Sequence, residues 1–411
     1  MEEKNIFNSV NIGIKIKDND LKSKPLKFVR NSNLNVNIQN IIIIILIIII
    51  IILCLIIGVH LLFKESSSTI YNEHIMNKNN NIEFFHKKLK KEEILNIIKT
   101  ASIKIISQLQ FELMPENKHQ IHIAMAIDNQ YIYPTLVSMA SALYNNNNNE
   151  NILVYHLLCS NEFNEENLNI FNSLKTTFNF SLNYYIIPGF FKKFRKWRGS
   201  SDTVYYKMLL PLLFYNLERI IYLDSDTLIY KDLYEMYNLP FNGNYVLGYP
   251  FHGAYKIDKF VNESVYYING GVILFNNFLI RKDNKDLELI KFTLENNNKL
   301  WFLEQDAINI VFLNKIGILP LIYGIYMYGN VDTFEKKIQN LIRFKLNKSE
   351  VIGAIKDPSL VHFSGCNPKV WFNNSKNEFG VDKICERFHN DFYFYANKTD
   401  YYVEIYNNYM K

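Results

Sequence analysis

Cysteine is scarce in this sequence of 411 residues, which contains four cysteines. Cys54 lies in a long apolar run, and Cys159, Cys366 and Cys385 are far apart in the remainder of the chain. Their spacing matches no zinc pattern, because such sites bring cysteines and histidines in closely spaced pairs. The sequence therefore predicts no cysteine-based zinc site, and it leaves a disulfide between Cys366 and Cys385 as an open alternative.

Two signals of nucleotide and nucleic-acid binding are also missing. No Gly-x-Gly-x-x-Gly turn follows the first predicted strand, which argues against a dinucleotide-binding fold. The chain has 45 basic and 40 acidic residues, a net charge of +5, and its basic residues form no stripe on a helix or strand. We therefore expect no nucleic acid among its partners.

Charged residues are absent from Ile41–Val59, which is a continuous apolar run. As a helix this run would be about 28 Å long, enough to cross the hydrocarbon core of a bilayer. A signal peptide that is removed would begin earlier and end in small residues, and this run does neither. We therefore predict a transmembrane signal anchor over residues 41–63.

Basic residues precede the predicted anchor, within a polar segment, residues 1–40, that we expect to be a disordered cytosolic tail. They include Lys15, Lys17, Lys22, Lys24, Lys27 and Arg30. The charge bias predicts a single-pass type II membrane protein of the Golgi or ER, with the later residues in the lumen. Five Asn-x-Ser/Thr sequons follow the anchor, but so Asn-rich a chain would contain about as many by chance.

Residues 64–118 are predicted to be a lumenal linker followed by a helical stem. Ser and Asn are frequent in residues 64–81, whereas Glu83–Phe111 places apolar residues among lysines and glutamates, as in an amphipathic helix. Its apolar face would pair with a second copy, giving a homodimer, or pack against the domain that follows.

From residue 119 to residue 411, predicted strands alternate with predicted helices. The strands are Ile121–Ile127, Ile152–Leu158 and Leu182–Ile187, and the helices are Pro134–Leu143, Glu165–Leu174 and Asp202–Tyr215. This spacing predicts an α/β fold, with a mostly parallel sheet and helices on both of its faces.

Two aspartates follow a further strand, Ile220–Leu223, whose continuous apolar character predicts a buried position in the sheet. In open α/β sheets ligands bind at the carboxyl ends of the strands, where Asp224 and Asp226 are expected. Carboxylates this close repel each other unless a cation lies between them, and oxygen ligands suit Mg²⁺ or Mn²⁺. An exposed turn would also contain aspartates, but the buried strand favours a metal site.

Two later motifs contain candidate functional residues. Asn269-Gly270-Gly271 interrupts the apolar strand Tyr266–Phe275, and glycine inside a strand often marks the close approach of a ligand or another backbone. Glu304-Gln305-Asp306 opens a predicted helix, where acidic residues are also favoured by the helix dipole alone.

A third motif runs from His362 to Trp371 and includes Lys369. Histidine is a common metal ligand, although a histidine beside an apolar strand is more often a core residue.

Together these motifs resemble those of the retaining glycosyltransferases of family 8, over roughly residues 120–375. The matching motifs are Asp128-x-x-Tyr131, Thr203–Met208 with Lys207 for the usual arginine, Tyr222–Asp226, Ile268–Gly271, Glu304–Asp306 with Glu304 for the usual aspartate, and His362–Trp371 with one extra residue and Val370 for proline.

The resemblance implies a GT-A fold, a UDP-sugar donor and a divalent cation, Mn²⁺ by preference. It implies transfer of a hexose or pentose to a glycan, glycoprotein or glycolipid, with retention. Since Gln305 is a poor nucleophile, front-face substitution is the favoured route to retention. By the family's motifs, Asp224, Asp226 and His362 would hold the metal. The donor would contact Asp128, Tyr131, Lys207, Asn269, Gly271, Gly365 and Lys369. Glu304, Gln305 and Lys369 would be the catalytic residues.

Glu304 is the main departure from the family pattern. Its extra methylene moves the carboxylate by about 1.5 Å, and a shift of that size alters sugar preference or weakens catalysis. The alternatives to an active enzyme are an inactive membrane-anchored member that binds a UDP-sugar or a partner, and a structural membrane protein.

Overall fold

A computed structural model describes residues 118–410, apart from residues 161, 188–189, 197–200, 252–256, 258–259, 261–266, 329–346, 366–368 and 373–382. The predicted cytosolic tail, anchor and stem lie outside these residues and stay predictions, as does the disulfide, since Cys366 is outside them too. Among the described residues, no helix has the length and apolar character needed to span a membrane.

Ten strands lie in the described part of the chain. They are β1 (His119–Ile127), β2 (Asn151–Ser160), β3 (Ser181–Ile187), β4 (Ile220–Leu223), β5 (Thr227–Ile229), β6 (Val246–Pro250), β7 (Ile268–Phe275), β8 (Ile316–Ile318), β9 (Tyr323–Tyr328) and β10 (Leu360–Gly365). Seven form a sheet in the order β3-β2-β1-β4-β7-β6-β8, and the other three form a small sheet in the order β5-β10-β9.

The same part of the chain contains ten α-helices. They are α1 (Ile132–Asn145), α2 (Glu165–Asn172), α3 (Leu210–Leu213), α4 (Tyr234–Tyr237), α5 (Asn277–Lys282), α6 (Lys285–Asn296), α7 (Glu304–Val311), α8 (Lys348–Lys356), α9 (Lys383–Ala396) and α10 (Tyr402–Met410). The 3₁₀ helices are Ser173–Thr176, Phe190–Lys193 and Asp202–Leu209.

The main sheet has a hydrophobic core on each face, which confirms the predicted α/β layers. Alternate residues of β1 supply the two cores, with Ile123 and Met125 in one and Ala124 and Ala126 in the other. Because side chains alternate between the faces of a strand, β1 contributes apolar residues to both cores.

Strands β1 to β4 are parallel to one another, whereas β7 is antiparallel to both of its neighbours, β4 and β6. Leu223, the last residue of β4, pairs with Val272, in the middle of β7. The reversed direction of β7 therefore brings its first residues, Asn269 to Gly271, to the edge of the sheet where Asp224 follows β4.

The small sheet brings the motif His362–Trp371 to the same end of the main-sheet strands. Strand β10 is antiparallel to β5, and His362 pairs with Thr227, the residue after Asp226. A residue 136 positions along the chain thereby becomes a neighbour of the aspartate pair.

The predicted helix Asp202–Tyr215 is wrong in type, since its first part is a 3₁₀ helix and α3 covers only Leu210–Leu213. Its Val, Tyr and Tyr residues at 204 to 206 are weak helix formers, and Pro211 lacks the N–H that an α-helix would bond to residue 207.

Candidate active site

The aspartate pair is held by backbone hydrogen bonds to two different sheets. The Asp224 N–H donates to the Gly271 carbonyl at 2.8 Å, and the Asp226 carbonyl accepts from the Phe363 N–H at 2.8 Å. The Thr227 hydroxyl also donates to the Asp224 carbonyl, at 2.9 Å. These bonds fix both carboxylates between β7 and β10.

Asp224, Asp226 and His362 form a cluster whose ligand atoms all lie within 4.8 Å of one another. His362 Nε2 is 3.1 Å from Asp226 Oδ1 and 3.5 Å from Asp224 Oδ2. Two carboxylate oxygens and an imidazole nitrogen are a suitable donor set for a divalent cation such as Mn²⁺. The structure thus brings together the three residues that the sequence motifs nominated.

Gly271 leaves room for this cluster. A Cβ atom at this position would lie 2.1 Å from His362 Cε1 and 2.5 Å from Asp224 Oδ2. Any other residue would therefore push the imidazole away from the carboxylates, which accounts for the glycine inside this strand.

Positive side chains face the carboxylates from two directions. On the β10 side, Lys369 Nζ donates to Asp226 Oδ2 at 2.5 Å and to the Phe363 carbonyl at 2.9 Å. Although burial opposes it, Lys369 and His362 hold the pKa of Asp226 well below its usual range. Burial would lower the pKa of His362, but the two aspartates raise it to about 9.

Lys207 lies on the other side of Asp224 and is 1% exposed. Its ammonium group donates to Asp224 Oδ1 at 3.3 Å, to the Gly270 carbonyl at 2.8 Å and to Glu304 Oε1 at 3.0 Å. An ammonium group has three N–H bonds, so these acceptors use all of its donors. Lys207 therefore links β4, β7 and α7, and of the two lysines predicted to meet the donor, Lys369 is the more accessible.

Glu304 and Gln305 are buried at the start of α7. Burial raises the pKa of Glu304 above its usual value even though Lys207 opposes that shift. The Gln305 side-chain oxygen accepts from the Gly270 N–H at 2.7 Å. Gln305 therefore contacts β7 directly, and Glu304 is joined to β7 and to Asp224 through Lys207.

Asn269, another predicted sugar contact, is 5% exposed, and its side-chain oxygen accepts from the Gly271 N–H at 2.8 Å. Gly365 ends β10, where it pairs with Tyr328.

The remaining predicted nucleotide contacts follow β1. Asp128 Oδ1 accepts from the N–H groups of Gln130 and Tyr131, at 2.9 and 3.2 Å. The Tyr131 ring meets the Trp371 ring edge to face, with centroids 6.1 Å apart. Since Trp371 follows Lys369 by two residues, the ends of β1 and β10 converge on one side of the site.

Several supporting residues were missed by sequence reasoning. Thr135 and Ser138 of α1 hydrogen-bond the hydroxyls of Ser225 and Thr227, each at 2.8 Å, and so tie the aspartate segment to the helix. The sequence signal that could have identified Thr135 and Ser138 was their spacing of three residues, which places two hydroxyl groups on one face of a buried helix. Tyr267, whose hydroxyl contacts Gln305 and Asp306, was also missed.

Comparison with solved structures identifies the fold. The fold is similar to that of the bifunctional glycosyltransferase WbbM, with a TM-score of 0.58 and 22% identity over 72% of this chain and 53% of WbbM. It is also similar to the galactosyltransferase LgtC, solved with donor and acceptor sugar analogs, with a TM-score of 0.56 and 15% identity over 68% of this chain and 96% of LgtC. The described domain therefore has the GT-A fold of sugar transferases.

The family follows from the sequence comparison. Residues 122–375 match the model of glycosyl transferase family 8, and the chain belongs to that family. Among curated relatives, the lipopolysaccharide 1,2-glucosyltransferase of Escherichia coli is 24% identical over 268 residues, which are 62% of this chain and 74% of that protein. Across four such relatives, the chain covers between 37% and 74% of the relative's own length.

Proposed function

We propose that this protein is a metal-dependent, retaining glycosyltransferase that moves a hexose or pentose from a UDP-sugar to a glycan, glycoprotein or glycolipid. The observation that carries the proposal is the cluster of Asp224, Asp226 and His362, whose ligand atoms lie within 4.8 Å at the edge where the sheet's ligand site is expected. Membership of family 8 supports the choice of a nucleotide-sugar donor.

The three residues of the cluster would hold the cation, Mn²⁺ by preference because an imidazole nitrogen suits a later metal than Mg²⁺. When bound, such a cation neutralises charge on a diphosphate leaving group. The Lys369 side chain, which is 20% exposed, would donate a hydrogen bond to the oxygens of that diphosphate. Tyr131 and Asp128, at the end of β1, would hold the uracil.

The sugar would lie against Asn269, Glu304 and Gln305. Glu304 is paired with Lys207, and the Gln305 oxygen already accepts a backbone hydrogen bond. Neither side chain is thus well prepared to attack the anomeric carbon, which favours front-face substitution. The acceptor oxygen then bonds to that carbon as its bond to UDP breaks, and the acceptor's proton passes to a diphosphate oxygen.

Residues 41–63 would anchor the enzyme as a single-pass type II protein in the Golgi or ER membrane, with the described domain in the lumen. This part of the proposal rests on the apolar run and on the basic residues before it.

The proposal is tested by incubating the purified residues 64–411, or the detergent-solubilised full chain, with a panel of UDP-sugars, Mn²⁺ and glycan acceptors. We expect transfer with one donor, and hydrolysis of that donor without acceptor. Lys369→Ala should lower kcat by about 10²-fold, the range for removing one such electrostatic donor. Lys398→Ala, which alters a lysine on the surface aromatic cluster of Tyr144 and Phe394, serves as the matched control and should change neither kcat nor KM.

UDP binding without transfer or hydrolysis of any donor would instead support the inactive, binding member of the family. A fully active Lys369→Ala variant would overturn the assignment of this lysine to the diphosphate.

A further inference from the structure

A chain of hydrogen bonds joins three buried side chains beside the sugar site. Gln305 Nε2 donates to the Tyr267 hydroxyl at 3.1 Å, and that hydroxyl donates to Asp306 Oδ1 at 2.5 Å. Gln305 is 8% exposed, Tyr267 is 3% exposed and Asp306 is 0% exposed. Neither Tyr267 nor Asp306 has a role in the function proposed above.

The direction of these hydrogen bonds is fixed at the Gln305 end. The Gly270 N–H can only donate, so the atom of the Gln305 amide that faces it, at 2.7 Å, must be the oxygen. The amide nitrogen then faces Tyr267, whose hydroxyl accepts from it. The hydroxyl proton is left for Asp306.

The direction is also fixed at the Asp306 end. A carboxylate only accepts, and Asp306 Oδ2 already accepts from the N–H groups of Trp301 and Phe302, at 2.5 and 2.8 Å. These bonds hold the turn before α7, in which Leu303 has φ 54° and ψ −125°. A buried leucine adopts this strained conformation only when its surroundings impose it.

Gln305 is thus linked to the metal cluster through Gly270. The carbonyl of Gly270 accepts from Lys207, which also donates to Asp224. If the Gln305 amide turned over, its nitrogen would face the Gly270 N–H, and two donors would oppose each other. The orientation of this amide is therefore set by contacts on both of its sides.

We propose that Tyr267 and Asp306 are positioning residues, which hold the Gln305 amide in a single orientation toward the donor sugar. The inference rests on the proposed function, in which Gln305 lines the sugar site. Neither residue would touch the reacting atoms, and both would act through Gln305.

The first test is Tyr267→Phe, which keeps the ring and removes the hydroxyl that joins Gln305 to Asp306. A catalytic group misplaced by about 1 Å can lose about 10²-fold in rate, so we expect kcat to fall by about 10- to 100-fold. Because the metal and uracil contacts are retained, the affinity for UDP with Mn²⁺ should stay within about twofold. Tyr155→Phe is the matched control, since the Tyr155 hydroxyl is buried without a hydrogen-bond partner in the described residues, and kcat should not change.

The second test is Asp306→Asn, which keeps the shape of the side chain. The N–H groups of Trp301 and Phe302 require the oxygen of the new asparagine amide, so the amide nitrogen would face Tyr267. That nitrogen donates, and it would therefore reverse the direction of the hydrogen bonds between Gln305 and residue 306. We expect a loss of kcat similar to that of Tyr267→Phe. The double variant should be little worse than either single variant, because both interrupt the same chain.

An active wild-type enzyme with unchanged kcat in both single variants would overturn this inference and leave the proposed function intact. The inference would also be overturned if the variants only melted at lower temperature, or if kcat stayed constant while UDP affinity fell. A wild-type protein that transfers no sugar would overturn the proposed function together with the inference.

Discussion

His362 and His122 are both buried histidines of this domain, yet their pKa values shift in opposite directions. Burial lowers the pKa of His122 to about 4. Burial acts in the same direction on His362, but Asp226 and Asp224 outweigh it and raise the pKa to about 9. His362 is 2% exposed and His122 is 6% exposed, so the two rings are buried to nearly the same extent. The neighbours of each ring therefore decide the direction in which its pKa shifts.

The surroundings of His122 are neutral. Its Nδ1 is 3.0 Å from His156 Nε2, and His156 Nδ1 is 3.1 Å from the Tyr185 hydroxyl, so a hydrogen-bonded row crosses β1, β2 and β3. Burial and His122 together hold the pKa of His156 well below its usual value. Among the residues that the structure describes, no carboxylate offsets the effect of burial on His122 or His156, whereas the carboxylates beside His362 attract a proton or a metal ion.

On the His362 side, the prediction concerns Gly271→Ala. The added methyl would lie 2.1 Å from His362 Cε1, so the imidazole must move away from the aspartates. Displacing one ligand should weaken Mn²⁺ binding by at least about 10-fold, and calorimetric titration of Mn²⁺ would measure it.

Gly353→Ala is the matched control for that change. A methyl group on Gly353, on the exposed side of α8, would meet no heavy atom of the described residues within 4 Å, outside its own helix backbone and chain neighbours. It should leave Mn²⁺ affinity unchanged and stabilise the helix by about 1 kcal/mol. Equal Mn²⁺ affinities in the two variants would contradict the crowding argument.

On the His122 side, the prediction concerns acid. The unfolded chain binds a proton at His122 near pH 6.5 and the folded chain near pH 4, so stability is full above pH 6.5 and falls as the pH drops toward 4. Between pH 8 and pH 5 this one residue should cost about 2 kcal/mol of unfolding free energy, and His156 acts in the same direction.

Urea unfolding at pH 8, 6 and 5 measures this loss, and the double variant His122→Leu/His156→Leu isolates it from other titrating groups. Its unfolding free energy should vary less with pH than that of the wild type by about 2 kcal/mol or more. Identical pH profiles would mean that the pair is not held neutral in the folded protein.

How much the sequence could predict differs between these two regions. Asp224 and Asp226 follow a continuous apolar strand, and Gly271 interrupts another, so local signals sufficed to nominate them. The family's motifs then supplied His362 and Lys369, which no local pattern would have joined to the aspartates.

The His122 row had no such signal. His122 lies opposite Val154 in the β1–β2 register, and only that register brings its ring to His156, two residues further along β2. Tyr267 and Asp306 are likewise brought together only by the tertiary fold, since the antiparallel orientation of β7 allows it to pack against α7. Lys207 was predicted as a donor contact, but the sequence could not show that three protein acceptors surround it.

The dependence of UDP binding on the metal cluster can be measured by thermal unfolding. The shift in melting temperature caused by UDP should appear with Mn²⁺ and disappear in EDTA, since the nucleotide gains much of its affinity through the cation. In Asp226→Asn, which removes one ligand charge, the fold should persist while UDP gives no Mn²⁺-dependent shift. An equal shift by UDP in Mn²⁺ and in EDTA, or a wild-type response from Asp226→Asn, would contradict the assignment of Asp224, Asp226 and His362 as the metal site.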